Sequence, residues 1–184
     1  MSIPNLLAVT RLVLTPVAMV LILHSPQGRG YAYAAAIVFG VAAATDFADG
    51  YLARRWRITT TLGAFLDLVA DKVLITGSLI ALVAIGATST WAAFLIIGRE
   101  VAVMGLRSVA ALDHFSVPPS IWGKWKATVQ FVAIFFAILL LDVEIGPLRL
   151  DEWLMWVAVG VTLLSAGDYF SRFRSVLSRK DRAG

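Results

Sequence analysis

Asp46-Phe47-Ala48-Asp49-Gly50-Tyr51-Leu52-Ala53-Arg54, eight further residues, then Gly63-Ala64-Phe65-Leu66-Asp67-Leu68-Val69-Ala70-Asp71: this stretch of 26 residues sets four carboxylates among apolar neighbours. On a helix Asp46, Asp49, Gly50 and Ala53 fall at i, i+3, i+4 and i+7 and share one stripe, with Arg54 one position further round. Gly63, Asp67 and Asp71 recur every four residues and form a second stripe. The intervening Arg55 to Leu62 includes a basic turn, so two helices can run antiparallel and present their stripes to each other. Carboxylates inside apolar helices are expensive, and four in one place imply a positively charged guest.

The rest of the chain explains the apolar surroundings. Of 184 residues, 59% are hydrophobic, and the mean hydropathy is +0.82, well above a soluble domain. A bilayer-spanning helix needs about 20 apolar residues, and such stretches occur near 5–24, 31–50, 62–86, 90–112, 121–141 and 152–171. The expectation is an all-α, polytopic membrane protein with six transmembrane helices, forming a single domain over residues 1–184. Short breaks separate the segments: Ser25 to Gly30, Arg54 to Thr61, Gly86 to Thr90, Pro118-Pro119, and Asp142 to Asp151 with Gly146-Pro147. The first segment is too long for a signal-peptide core and carries Arg11, so it reads as a retained helix.

Charge sorting orients the bundle. Arg54, Arg55 and Arg57 lie in the second loop, Lys124 and Lys126 follow the fourth, and Arg172, Arg174, Arg179, Lys180 and Arg182 crowd the tail. The opposite side holds Arg29 and Arg149. By the positive-inside rule both termini and the even-numbered loops are cytoplasmic, so the aspartates face the cytoplasm. The excess of Lys and Arg over Asp and Glu, 16 against 12, follows from this topology and does not call for nucleic acid. With no cysteine and only His24 and His114, thiolate and histidine-rich metal sites are excluded. Both histidines read as interfacial, as do Trp91, Trp122, Trp125, Trp153 and Trp156 near helix ends. Asp168 and Arg172 read as an i, i+4 pair anchoring the last helix.

Hard carboxylate oxygens suit Mg²⁺ or Mn²⁺, which keep positions open for a phosphate. Two such ions about 3.5–4 Å apart can clamp the attacking and leaving oxygens of a phosphoryl-type displacement. Gly50 and Gly63 clear space for a diphosphate, and Arg54 offers it a forked donor. An intramembrane salt-bridge cluster or an ion pathway fits the aspartate spacing as well.

The pattern Asp46-x-x-Asp49-Gly50-x-x-Ala53-Arg54, eight residues, Gly63-x-x-x-Asp67-x-x-x-Asp71 resembles, without a substitution, the signature of the CDP-alcohol phosphotransferases. The resemblance implies a six-helix membrane enzyme, usually a homodimer, that moves a substituted phosphate from a CDP-linked donor to an alcohol and releases CMP. It implies that Asp46, Asp49, Asp67 and Asp71 hold two divalent cations and that Asp71 is also the general base. Asp49, Gly50, Ala53, Arg54 and Gly63 would line the CDP pocket, with Thr60 a weaker addition. Leu68 departs from a frequent proline but is not at a ligand position.

Further stretches resemble the branch of this family that joins CDP-diacylglycerol to glycerol 3-phosphate: Ile3-Pro4-Asn5 with Thr10-Arg11, Asp67 to Lys72, Arg99-Glu100 continuing to Arg107, and Gly123-Lys124-Trp125-Lys126 with Thr128 and Gln130. The acceptor phosphate would meet Arg99, Arg107 and Lys124. Arg107 lies eight residues beyond Arg99, about 80° round a helix, so both can border one cavity. Glu100 shares a face with Arg107 and serves either to neutralise it or to touch substrate. Lys124 and Lys126 point nearly oppositely, so one reaches the acceptor and the other meets lipid headgroups. Asn5 and Arg11 support the donor site or, for Asn5, cap the first helix. Rival readings are another acceptor (inositol phosphate, phosphatidylglycerol or serine) and, from another class, a divalent-cation transporter, for which Gly50, Arg54 and Gly63 are superfluous.

Overall fold

The computed structural model describes residues 3–56, 61–112 and 121–180. Among them run six helices: α1 (Ile3–His24), α2 (Arg29–Trp56), α3 (Thr61–Ala84), α4 (Thr90–Leu112), α5 (Ile121–Leu139) and α6 (Leu150–Lys180). A short 3₁₀ turn, Ser25–Gln27, links α1 to α2. Two-residue strands, β1 (Glu144–Ile145) and β2 (Leu148–Arg149), pair antiparallel between α5 and α6.

Two of the breaks are built as the sequence prescribes, while Pro118-Pro119, with His114, lies outside the described residues. α3 closes on Gly86 at φ +73°. The Ala87 N–H donates to the Leu82 carbonyl at 2.9 Å and the Gly86 N–H to Val83 at 3.0 Å, the paired bonds of a Schellman cap. Gly146, at φ +68°, turns the hairpin.

Two helix ends differ from the hydropathy reading. α2 continues through Arg54 and Arg55 to Trp56, where a basic turn is expected. Arginine is a good helix former, and its charge does not end a helix that leaves the apolar layer. α6 likewise runs to Lys180, past the expected end near 171.

α1 packs against both α2 and α3, α4 against α3 and α6, and α5 against α2 and α6. The core gathers Ile22, Phe39, Leu74, Leu79, Leu82, Ile96, Ile134 and Ile138. At Gly77 α1 and α3 touch closely: a Cβ there would lie 2.8 Å from Met19 Sδ and 3.0 Å from Thr15 Cγ2.

Large apolar side chains cover much of the exterior. Val13, Ile37, Phe65, Phe94, Val101, Val132, Leu164 and Phe170 are exposed on it, and Trp91, Trp125, Trp153 and Trp156 join them. Arg11, Glu100, Lys126, Gln130, Thr162 and Ser165 are buried inside. An apolar outside over a partly polar inside is the arrangement of a protein whose solvent is lipid. The stretches Leu6–Gln27 and Leu150–Arg174 are long and apolar enough to cross a bilayer.

Candidate active site

α2 carries Asp46, Asp49, Gly50, Ala53 and Arg54 on its last turns, and α3 carries Gly63, Asp67 and Asp71 on its first. The two helices touch. Thr60 lies outside the described residues, as do the side chains of Asp46, Asp49, Ala53, Arg54, Asp67 and Lys124 and the surroundings of Gly50. Gly63 is part-buried. Asp71 is the aspartate of the array whose side chain is described, and it opens onto a cavity of about 440 Å³.

Asp71, Lys72, Arg99, Glu100, Arg107 and Lys126 line that cavity with apolar residues of α3, α4 and α5. Three helices contribute because each presents its charge at the same level of the bundle. Lys72 bridges two of them: its Nζ donates to Asp71 Oδ2 at 2.5 Å and lies 2.9 Å from Glu100 Oε2. Glu100, buried on α4, also receives Arg99 Nη1 at 3.0 Å and Lys126 Nζ from α5. A buried carboxylate that meets three cations offsets its own desolvation and theirs. Removing Glu100 would leave Lys72, Arg99 and Lys126 without the carboxylate they share.

α6 closes the back of the site. Arg99 Nη2 donates to Ser165 Oγ at 2.8 Å. The Arg107 guanidinium lies over the Tyr169 ring, 5.6 Å from its centroid, within cation–π range. Deeper in the bundle Gln130 Nε2 donates to Thr162 Oγ1 at 2.8 Å.

The six charged wall residues sum to two net positive charges, four cations against two carboxylates. A cavity of that sign, rimmed by Asp71, can hold a phosphate monoester and set its hydroxyl end near a carboxylate. As expected from their spacing, Arg99 and Arg107 border one cavity, and Asp71 borders it too. Glu100 turns to Lys72, Arg99 and Lys126, while Arg107 stacks on Tyr169. Of the two lysines two residues apart on α5, Lys126 is in the wall.

Lys72, Ser165 and Tyr169 are the residues that sequence reasoning left out of the site. An intramembrane lysine beside a carboxylate was a usable signal for Lys72. Ser165 and Tyr169 gave none, because a serine and a tyrosine on an apolar helix are ordinary. The expected Asp168–Arg172 pair is present, with Arg172 Nε 3.1 Å from Asp168 Oδ1.

Comparison with known proteins puts this arrangement in context. The family described as CDP-alcohol phosphatidyltransferase matches residues 1–164. A Bacillus subtilis protein named CDP-diacylglycerol–glycerol-3-phosphate 3-phosphatidyltransferase is 36% identical, over 93% of this chain and 94% of its own. The protein of that name from Shigella flexneri is 40% identical over 96% of this chain and 97% of its own. A Mycobacterium tuberculosis protein named probable phosphatidylglycerophosphate synthase is 37% identical over 93% of this chain and 81% of its own. With the signature on α2 and α3, the cavity below it and a match over residues 1–164, the chain belongs to the CDP-alcohol phosphatidyltransferase family.

Proposed function

We propose that this enzyme transfers the phosphatidyl group of CDP-diacylglycerol to the primary hydroxyl of glycerol 3-phosphate, giving phosphatidylglycerophosphate and CMP. The observation that carries this reading is the cavity that Asp71, Arg99 and Arg107 line together, whose charged wall sums to two net positive charges, the complement of a phosphate dianion. The names borne by the Bacillus and Shigella relatives support the same donor and acceptor.

In this reading the donor's CDP moiety lies along Asp49, Gly50, Ala53, Arg54, Thr60 and Gly63, and its acyl chains lie in the membrane. Asp46, Asp49, Asp67 and Asp71 are a donor set of hard carboxylate oxygens at helical spacing, which fits two Mg²⁺ or Mn²⁺ ions. When bound, such ions supply positive charge to the diphosphate being split. Arg99 and Arg107 take the acceptor's phosphate, with Lys126 and Lys124 at the cavity's α5 side. Asp71 takes the proton of the attacking hydroxyl as its oxygen bonds to the phosphorus that carries diacylglycerol. The bond from that phosphorus to the CMP oxygen breaks, and Arg54 steadies the departing anion. Lys72, bonded to Asp71, orients its carboxylate.

The same reading makes the protein a homodimer of six-span subunits in the inner membrane, with both termini and the active site on the cytoplasmic side. The test is purified protein with CDP-diacylglycerol, Mg²⁺ or Mn²⁺, and separate acceptors: glycerol 3-phosphate, inositol phosphate, phosphatidylglycerol and serine. CMP release with glycerol 3-phosphate alone is expected. Release with another acceptor instead would reassign the substrate, and no release accompanied by metal flux into proteoliposomes would favour transport.

A further inference from the structure

Three residues of α6, Thr162, Ser165 and Tyr169, recur at i, i+3 and i+7 and therefore share one face. All three are buried. Each holds a polar or cationic side chain of a neighbouring helix: Gln130 on Thr162, Arg99 on Ser165 and Arg107 on Tyr169. Ser165 and Tyr169 are not among the residues that line the cavity. They stand behind the two arginines.

The spacing of this face differs from that of the arginines. Along α4 the backbones of Arg99 and Arg107, eight residues apart, are separated by about 12 Å of rise. Along α6 their anchors, four residues apart, are separated by about 6 Å. The order of the contacts, 99 to 165 and 107 to 169, means that α4 and α6 run the same way. The anchors are therefore closer together along the bundle than the backbones of the arginines they hold.

Resting on the acceptor site argued above, we propose that Ser165 and Tyr169 are positioning residues for acceptor selection. They fix the directions of Arg99 and Arg107, and so the gap between the two guanidinium groups that receive the acceptor phosphate. Arginine loses much rotamer freedom when it grips a ligand, and an anchor that holds it in place beforehand lowers that cost. Arg99 is held from two sides, by Glu100 and by Ser165, whereas Arg107 rests on the ring of Tyr169. Tyr169 therefore has the larger share in setting the spacing. The hydroxyl of Tyr169 is dispensable in this scheme, because the ring face holds the cation.

The experiment is steady-state CMP release by purified protein, with KM measured separately for glycerol 3-phosphate and for CDP-diacylglycerol. Tyr169→Leu should raise the acceptor KM about three- to thirtyfold, the loss of one cation–π contact. Ser165→Ala should raise it about two- to tenfold, the loss of one hydrogen bond. Donor KM should stay within about twofold in both, the scatter of such small free-energy differences. Tyr169→Phe should restore the wild-type acceptor KM. In an Arg107→Ala background, Tyr169→Leu should add nothing further, because its effect passes through the arginine.

Equal shifts in both KM values, a fall in kcat alone, or a Tyr169→Phe variant as impaired as Tyr169→Leu would overturn the proposal by giving these residues a merely structural part. If Arg107→Ala raises the acceptor KM and Tyr169→Leu does not, the positioning role fails and the acceptor site stands. If neither Arg99→Ala nor Arg107→Ala changes the acceptor KM, the acceptor site itself is wrong, and this role falls with it.

Discussion

Glu100 and Asp71 divide the work of negative charge in the cavity. Glu100, buried against Lys72, Arg99 and Lys126, is the carboxylate that lets three cations sit inside an apolar bundle. Glu100→Gln keeps its shape and removes its charge, leaving those cations to repel one another. Breaking a buried ion pair from one side costs about 3–5 kcal/mol, so a clear drop in melting temperature in detergent is expected. A melting temperature equal to wild type would mean that the cations relax into water. Asp71 is more open, with its side chain about one-fifth exposed and lining the cavity. Asp71→Asn should leave the melting temperature near wild type and reduce CMP release by about 10²–10⁴-fold, the usual contribution of a general base. Near-normal turnover by the folded variant would remove Asp71 from that role. The charge of the site was legible in the sequence at this scale, since Asp71, Arg99 and Arg107 stand out in apolar segments. The place of Lys126 in the wall was not, because periodicity does not say which face of α5 meets the cavity.

At the scale of the element, the helices owe their existence to apolar runs and their limits to other signals. The six segments were legible because about 20 apolar residues in a row leave few alternatives. The Gly86 cap was legible too, since a glycine after a periodic run is a stop signal. The ends of α2 and α6 were hidden, because hydropathy records the edge of the apolar layer and not the end of the helix. Where α1 meets α3, Gly77 sets the distance: Met19 and Thr15 occupy the space that a side chain would take. Met19 can move aside, being a flexible side chain, but Thr15 is buried and β-branched. Gly77→Val should therefore overpack this contact at a cost of about 1–3 kcal/mol, read as a lower melting temperature in detergent. Because Lys72 lies five residues earlier on the same helix, the variant should also lower turnover. Unchanged stability would show that α1 and α3 slide apart freely, contrary to the close contact seen.

For the whole molecule, what matters is which end of the bundle faces the cytoplasm, since CDP and glycerol 3-phosphate are water-soluble groups that must reach the Asp71 cavity from one side. The signature helices meet at one end of the bundle, α2 ending at Trp56 and α3 beginning at Thr61, and α6 carries Arg172, Arg174, Arg179 and Lys180 on its last turns. The hairpin of Glu144–Ile145 and Leu148–Arg149 precedes α6, and with the Arg29–Asp142 pair, 3.5 Å apart, it belongs to the other end. The positive-inside rule then puts Arg174 in the cytoplasm and Glu144 outside. The absence of cysteine from the chain makes this directly testable, because a single introduced thiol is the sole target of a maleimide. Arg174 and Glu144 are both exposed, so a thiol at either place is accessible. In intact spheroplasts a membrane-impermeant maleimide should label Glu144→Cys and spare Arg174→Cys, and permeabilisation should bring Arg174→Cys to the same level. The reverse pattern would turn the bundle over, placing the phosphatidyl transfer at the outer face, where neither water-soluble substrate group would have the access this site requires.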